Sequence, residues 1–310
     1  MTTSNGKFIK RLTPCIAFAV TLPMLAAAQE FSAGLPLGSI NEAGKRMEMS
    51  DNVKVFGSFH FAESCTFDPE RNLIIAMNAG VRSEGYEADG FASLINPDGS
   101  VHTAKWIGAT RDGLELISPI GSALRDGVLY TVDSGFLRSF DLATGKPLRS
   151  IEVPGSGFLN GISVAEDGTA YISNTRPESR VYRVSNDGEI SVFAEGDELD
   201  RPNGVALDND GNVVVVNIGS TAVLTYTQDG ALLRTEHAAE SGGDGVVVLP
   251  DGTKYVSSVR YGSVSKLVSG QPTEVIATGI PNAASMCYDS VQHQLVIPLN
   301  PNNALAFIKL

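Results

Sequence analysis

Four oxygen-bearing side chains stand at corresponding positions of a repeated sequence pattern: Glu63, Asn160, Asn203 and Asp244. Carboxylates and amide carbonyls suit Ca²⁺, because that ion accepts about six to eight oxygens in a loose geometry. Mg²⁺ is less suited, because it demands a stricter octahedron and keeps more water. We therefore predict that these residues bind one Ca²⁺, or another divalent cation, with room left for water or substrate oxygens.

The dipeptides Asn-Gly and Asp-Gly at these positions have a second interpretation. They are also the commonest tight-turn dipeptides, so any one of them alone would indicate only a turn. The four positions agree in phase, however, Glu63 is not followed by glycine, and a separate Asp-Gly follows later in most copies. This agreement favours a site over a set of turns.

The repeat that carries these residues has a period of about 40 residues. Each copy has a short apolar run, a tight turn and a second run rich in β-branched residues, which is typical of a β-hairpin. A second hairpin lies behind each first one. Six copies in one register predict an all-β chain, a six-bladed β-propeller with four antiparallel strands per blade, from about Asp51 to Leu310. A β-sandwich is the alternative, but it does not need six copies in one register.

In a propeller the first strand of each blade lines the central channel, so equivalent residues at its start form a ring. We call these the ring positions. The copies align Pro119 as the ring position of blade 2 and Ala284 or Ser285 as that of blade 6. Blade 2 therefore offers no oxygen ligand.

Loops at the channel mouth should select the substrate. The turns after the second strand of each blade place seven residues there as predicted substrate-binding residues: Arg82, Tyr86, Asn174, Arg176, Asn217, Arg260 and Tyr261. The arginines could hold a carboxylate or phosphate, or form exposed salt bridges. The polar, glycine-rich stretch from Asn78 to Phe91 predicts a loop over this face.

The chain resembles the gluconolactonase and senescence-marker-protein family, with paraoxonase and diisopropylfluorophosphatase as more distant relatives. The resemblance covers about Phe59 to Leu310 and rests on Glu63, on RPNGVALDNDGN from Arg201 and on GDGVVVLPDG from Gly243. It implies a calcium-dependent hydrolase of lactones or related esters. It also implies that the matching glutamate, two asparagines and aspartate surround the metal.

The mechanism expected from this resemblance uses Asp244 as the general base toward water, and a direct nucleophilic role for Asp244 remains open. No histidine falls on a ring position; His60 and His237 precede channel strands and could reach the mouth or lie on the surface. A non-catalytic propeller that binds a ligand or protein and keeps a structural calcium is the rival hypothesis.

The N-terminal sequence and the net charge indicate where the protein is located and what it binds. Residues 1–28 have basic residues, an apolar run and three alanines, which predicts a signal peptide cleaved near Ala28, followed by an extension over 29–50. The mature chain should be periplasmic or secreted, with no membrane span. Cleavage removes three basic and no acidic residues, so the charge falls from −12 to −15. Without clustered Lys and Arg, nucleic acid is not an expected partner; a small ester or lactone is.

Two cysteines remain after cleavage, Cys65 and Cys287, on channel strands of blades 1 and 6. Export permits a disulfide, but channel strands of adjacent blades usually stand too far apart for one. We therefore predict two buried free thiols.

Overall fold

The computed structural model describes residues 1–2, 39–80, 88–108 and 115–310. The chain divides into two units, Met1–Ala33 and Gly34–Leu310, and the second holds every strand described below. All but the first two residues of the predicted signal peptide lie outside the described residues. Within the described ranges, no helix has the length and apolar character to span a membrane.

The described chain is built almost entirely of short strands. Two strands that pair with each other come first, then a third: β1 (Ser39–Ile40), β2 (Arg46–Met47) and β3 (Val53–Gly57). The next twelve are β4 (Ala62–Asp68), β5 (Leu73–Asn78), β6 (Phe91–Ile95), β7 (Val101–Gly108), β8 (Pro119–Arg125), β9 (Val128–Asp133), β10 (Phe136–Asp141), β11 (Pro147–Glu152), β12 (Leu159–Val164), β13 (Ala170–Asn174), β14 (Arg180–Val184) and β15 (Ile190–Glu195). The last part holds β16 (Pro202–Leu207), β17 (Val213–Asn217), β18 (Ala222–Tyr226), β19 (Leu232–His237), β20 (Gly243–Val248), β21 (Lys254–Ser258), β22 (Ser263–Leu267), β23 (Glu274–Ala277), β24 (Cys287–Asp289), β25 (Gln294–Leu299), a 3-10 helix η1 (Asn300–Asn302) and β26 (Ala304–Lys309).

These strands form six four-stranded antiparallel sheets, which are the blades. Blades 1 to 5 each use four consecutive strands, from β4–β7 to β20–β23. Blade 6 has the order β24-β25-β26-β3, so β3 from the start of the chain is its outermost strand. The prediction of a six-bladed, four-stranded propeller is confirmed, while closure of the last blade by β3 was not anticipated from the repeat.

Burial follows the position of a strand within its blade. The second strands are covered on both faces by neighbouring blades, so they are apolar runs, such as the fully buried β17. Outermost strands face solvent, and β19 is exposed along most of its length. Inner strands therefore give a rigid wall from which side chains can project into the channel.

Cys65 and Cys287 form a disulfide, so the prediction of two free thiols was wrong. Their Cα atoms are 5.4 Å apart, inside the range of about 4.4 to 6.8 Å that a disulfide requires. The prediction failed because it assumed that channel strands of adjacent blades stand too far apart. At the closure of the ring, β4 and β24 approach closely enough for a bridge between the first and last blades.

Candidate metal centre and channel mouth

A register shift near the start of the inner strand sets the ring position in blades 1 to 5. In blade 3, Leu159 pairs with Asn174 and pairing resumes at Ile162, so Asn160 and Gly161 are left out of the ladder. The equivalent shifts in blades 1, 4 and 5 leave out Glu63, the pair Asn203 and Gly204, and the pair Asp244 and Gly245. A bulge of this kind re-aims a side chain. The four predicted ligands thus share one structural position.

The glycines that follow the ring residues are there because the inner strands almost touch. A Cβ on Gly161 would lie 2.2 Å from the carbonyl oxygen of Asn203, and one on Gly204 would lie 2.5 Å from that of Asp244. Neither distance is compatible with a side chain. The Asn-Gly and Asp-Gly dipeptides therefore mark close approach near the axis, and the turn interpretation does not apply to them.

The register shift places the ring position of blade 2 at Ile120, one residue after the predicted Pro119. Pro119 is paired with the end of β9, whereas Ile120 lies within the register shift. The Ser64 hydroxyl of blade 1 donates to the Ile120 carbonyl, as the Ser173 hydroxyl of blade 3 donates to the Asn203 carbonyl of blade 4. The alignment to Pro119 was wrong, and blade 2 presents Ile120 to the ring.

The ring side chains are buried and linked by hydrogen bonds. The Nδ2 of Asn203 donates to Oδ2 of Asp244 at 3.1 Å, and the Ser285 hydroxyl donates to Oδ1 of Asp244 at 3.3 Å. The Nδ2 of Asn160 donates to the Thr175 hydroxyl at 3.2 Å. These contacts fix how each amide is turned, because an amide whose NH₂ is engaged directs its oxygen the other way.

A fifth polar residue, Asn300, belongs to this group and was missed by sequence reasoning. It is buried, begins η1 and donates from Nδ2 to Oε2 of Glu63. It directly follows the second strand of blade 6, as Thr175 follows that of blade 3. The signal available in the sequence was its position directly after a predicted second strand, the position that Thr175 holds in blade 3.

Three buried amide oxygens in this group have no hydrogen-bond partner: Oδ1 of Asn160, Asn203 and Asn300. Buried polar atoms are nearly always partnered, and leaving one unpartnered costs about 1 to 3 kcal/mol. In each case the amide nitrogen donates a hydrogen bond, so the oxygen keeps lone pairs that could coordinate a cation. An oxygen-preferring cation would satisfy all three.

The buried carboxylates of Glu63 and Asp244 also favour a cation at the ring. Burial raises the pKa of Asp244 well above its usual range, the charge of Glu63 raises it further, and the hydrogen bonds from Ser285 and Asn203 oppose the rise. A cation held between the two carboxylates would favour their charged forms. Among the described residues no three His, Cys, Asp or Glu side chains cluster for a metal, so a cation at the ring would need the amide oxygens as further ligands. The donor set fits Ca²⁺.

The predicted mouth residues divide into four groups. Asn174 and Asn217 are buried, and their Oδ1 atoms accept from backbone N–H groups of the loop that enters their own blade. Arg176 is exposed, with its guanidinium 4.9 Å from the centre of the Phe158 ring. Arg82 and Tyr86 lie outside the described residues.

The remaining two mouth residues contact the N-terminal extension. A guanidinium nitrogen of Arg260 lies 3.3 Å from Glu42, and the Tyr261 hydroxyl donates to Glu42 at 3.1 Å. The described part of the extension, residues 39–50, therefore contacts the loop between β21 and β22 of blade 5 through Glu42. A substrate group would have to compete with Glu42 for Arg260.

Neither histidine considered from the sequence lies on an inner strand. His60 is exposed in the loop before β4, with its ring 5.8 Å from that of Phe91. His237 ends the outer strand β19, where its Nδ1 lies 3.0 Å from the Thr221 hydroxyl. His237 is therefore placed away from the ring positions.

Three cavities of the described structure differ in their position relative to the ring. The channel beneath the ring offers only about 40 Å³ between Ser64, Gly121, Gly204 and Gly245, room for no more than a few waters. At the mouth, blades 2 and 3 enclose about 310 Å³ beside the ring, a volume typical of a small ligand site. A larger cavity of about 720 Å³ lies between the outer strands of blade 6 and the turns of blade 1, around Phe56 and Asn96, and has no ring residue in its wall. The cavity at the mouth has the ring residue Ile120 in its wall.

Comparison with known proteins supports the fold. No family model and no curated protein matches the chain. A gluconolactonase from Xanthomonas campestris is similar in structure, with a TM-score of 0.61 and 20% identity over 84% of this chain and 90% of that one. A protein described as belonging to a gluconolactonase family has a TM-score of 0.63 and 17% identity over 84% and 93%. Virginiamycin B lyase from Staphylococcus aureus has a TM-score of 0.57 and 13% identity over 85% and 100%. The predicted resemblance thus holds for the fold, which serves both a lactonase and a lyase.

Proposed function

We propose that this chain is an exported, calcium-dependent hydrolase of lactones or related esters. The observation that carries the proposal is the group of three unpartnered amide oxygens and two buried carboxylates at one end of the channel, beside a cavity. The leader-like residues 1–28 support export. The disulfide between blades 1 and 6 agrees with it, because such bonds persist in oxidising compartments.

Glu63, Asn160, Asn203 and Asp244 would hold the ion, and Asn300 joins them as a further oxygen donor. When bound, Ca²⁺ supplies Lewis acidity that polarises a substrate carbonyl. Ile120 occupies the ring position of blade 2 and offers no side-chain oxygen, which leaves one side of the ring without a ligand among the described residues. A substrate carbonyl or a water would approach on that side.

Asp244 is the proposed general base. Hydrogen bonds from Asn203 and Ser285 hold both of its oxygens, so the carboxylate is fixed before substrate arrives. It takes a proton from water as the water oxygen bonds to the carbonyl carbon, and the proton then passes to the alkoxide released when the ester C–O bond breaks. Direct attack by Asp244 on the carbonyl carbon is the alternative assignment.

A cavity beside the ring favours the enzyme over a propeller with a purely structural ion. A structural ion is usually enclosed by protein ligands, whereas here one ring position is apolar and adjoins open volume.

The test is hydrolysis of γ-butyrolactone and phenyl acetate, followed by titration at constant pH, with Ca²⁺ present and after complete chelation. We expect turnover only with the ion and recovery on its return. Calorimetry of Ca²⁺ binding gives a second readout, and Asn160→Ala should weaken binding. Turnover that survives metal removal would contradict the mechanism.

A further inference from the structure

A carboxylate of the protein itself is held at the channel mouth, on the loop between β21 and β22. One oxygen of Glu42 lies 3.3 Å from a guanidinium nitrogen of Arg260, and the other accepts from the Tyr261 hydroxyl at 3.1 Å. Glu42 is exposed, whereas Arg260 and Tyr261 are half-buried. A guanidinium beside a hydroxyl is a donor set that suits a carboxylate. Glu42 therefore shows what kind of group these two side chains accept.

The loop that carries this pair is fixed by backbone contacts. The N–H of Tyr261 donates to the Ser258 hydroxyl at 3.1 Å, and the N–H of Gly262 donates to the Ser258 carbonyl at 2.9 Å. The N–H of Ile280 donates to the Gly262 carbonyl at 2.9 Å, which ties the loop to the connection between blades 5 and 6. Arg260 and Tyr261 are therefore placed before a ligand arrives, so that binding orders little additional backbone.

The pair also lies close to the ring. A Cβ on Gly242 would lie 2.7 Å from Cγ of Arg260, so the aliphatic part of this arginine packs on the backbone of Gly242. Gly242 precedes the ring residue Asp244 by two positions, a span of at most about 7 Å between Cα atoms. A small molecule with its carbonyl at the ring could therefore reach the guanidinium through a short arm.

We propose that Arg260 and Tyr261 form a carboxylate-binding subsite, that the substrate is a lactone or ester bearing a carboxylate, and that this carboxylate displaces Glu42. The inference rests on the proposed function and names its substrate class. It also gives the extension a role, because Glu42 occupies the subsite when no substrate is bound.

Glu42 can be displaced because the extension is anchored elsewhere. The N–H of Ser50 donates to the Thr278 carbonyl at 3.1 Å, and the N–H of Thr278 donates to the Ser50 hydroxyl at 2.8 Å. N-terminal to this anchor, β1 and β2 share only a two-residue ladder, and so short a hairpin depends on contacts such as that of Glu42. Glu42 can therefore leave Arg260 without disturbing a blade. Because the ion pair is partly exposed, Glu42 should weaken binding of a substrate carboxylate by up to about fivefold.

The experiment compares γ-butyrolactones that carry a carboxylate or a carboxamide on the carbon beside the ring oxygen, attached directly or through one or two methylenes. The carboxamide is the neutral counterpart of the same shape. With saturating Ca²⁺ we expect kcat/KM for the carboxylate to exceed that for the carboxamide by about tenfold at the best arm length. Equal values at every arm length would overturn the proposal.

Two variants connect the preference to the subsite. Arg260→Gln should abolish it, and Glu42→Gln should raise kcat/KM for the carboxylate by up to about fivefold and leave the carboxamide unchanged. The matched controls are Arg201→Gln, in the loop that enters blade 4, where Arg201 lies 3.6 Å from Asp200, and Glu48→Gln in the same extension. Both controls should keep the wild-type preference. A preference retained in Arg260→Gln would refute the subsite, and an unchanged rate in Glu42→Gln would refute the competition.

A binding measurement separates this proposal from the proposed function. The probes are 3-oxocyclopentane-1-carboxylate and its amide, which have the ring carbonyl but no ester bond, titrated by calorimetry with Ca²⁺ present. Tighter binding of the carboxylate in the wild type and not in Arg260→Gln supports the subsite even if no lactone is hydrolysed, and only the hydrolase function then fails. Lactone hydrolysis without a carboxylate preference has the opposite meaning. Ca²⁺ affinity should be equal in both proteins; a preference lost only together with Ca²⁺ affinity would assign it to the ion and overturn the subsite.

Discussion

Replacing Asp244 by asparagine separates ligation from chemistry. Asp244 accepts hydrogen bonds from Asn203 on one oxygen and from Ser285 on the other. In Asp244→Asn the amide oxygen keeps the bond from Asn203, and the new NH₂ can donate to the Ser285 hydroxyl, which both donates and accepts. The shape of the ring and one oxygen ligand should therefore survive. The negative charge and the proton acceptor are lost.

Glu63→Gln is the matched control. It removes the same formal charge from a buried ring carboxylate, and the new amide oxygen can still accept from Asn300. Both variants should weaken metal binding. Only Asp244→Asn also removes the proposed base, so we expect its kcat to stay low by about 10² to 10⁴ at saturating metal, or roughly 2.7 to 5.5 kcal/mol. Glu63→Gln should recover most of its rate.

The assay measures kcat for both variants at Ca²⁺ concentrations that calorimetry shows to be saturating. A thermal unfolding curve for each variant confirms that the fold is retained. Equal recovery of the two variants would reduce Asp244 to a ligand. The proton acceptor would then have to be sought elsewhere at the mouth, with His60 the exposed candidate.

Three further outcomes follow from the ring and its closure. Chelation of Ca²⁺ bound at about 100 times its Kd should lower the free energy of unfolding by about 2.7 kcal/mol, seen as a lower Tm. Thiol titration of the denatured, unreduced chain lacking residues 1–28 should find no free thiol, and Cys65→Ser with Cys287→Ser should cost about 2 to 5 kcal/mol in urea unfolding. Gly204→Ala should cost about 1 to 3 kcal/mol and weaken Ca²⁺ binding, because its Cβ would lie 2.5 Å from the Asp244 carbonyl oxygen. Gly252→Ala, where φ is +82° and nothing lies nearby, should cost about 1 kcal/mol and leave Ca²⁺ binding intact.

The fold was predictable because every blade repeats one register of inner strand, turn and second strand. The closing strand β3 was not, because its sequence VKVFG has no turn and no partner run beside it. Its partner β26 lies at the other end of the chain. Pairing over such a separation leaves no local signal, and the cysteine pair escaped prediction at the same closure.

The ring position could be predicted from the sequence where the hairpin of first and second strands has a constant length. In blades 3, 4 and 5 the turn glycine follows the ring residue by eight positions, as Gly168 follows Asn160. Blade 2 instead turns through Asp126 and Gly127 with φ of 47° and 72°, a two-residue turn that shortens the hairpin by one. Alignment on the turn therefore selected Pro119 in place of Ile120.

The sequence did not distinguish Asn174, predicted to bind substrate, from its neighbour Thr175. Side chains alternate along a strand and its continuation, so neighbouring residues point to opposite sides. In blade 3, Asn174 ends the second strand and holds the entering loop of its own blade, whereas the next residue, Thr175, meets the ring. Composition alone could not separate two polar neighbours.

Closure of the propeller bears directly on the proposed metal site. The hydrogen bond from Asn300 to Glu63 joins residues 237 positions apart and crosses the junction of blades 6 and 1. The disulfide crosses the same junction two residues beyond Glu63. A set of oxygen ligands binds a cation tightly only when the ligands are held in place. Separation of blades 6 and 1 would therefore move Glu63 away from the other proposed ligands before any blade unfolds. The pairing of β3 with β26 and the disulfide should therefore stabilise the proposed site, because they hold Glu63 in place across the junction.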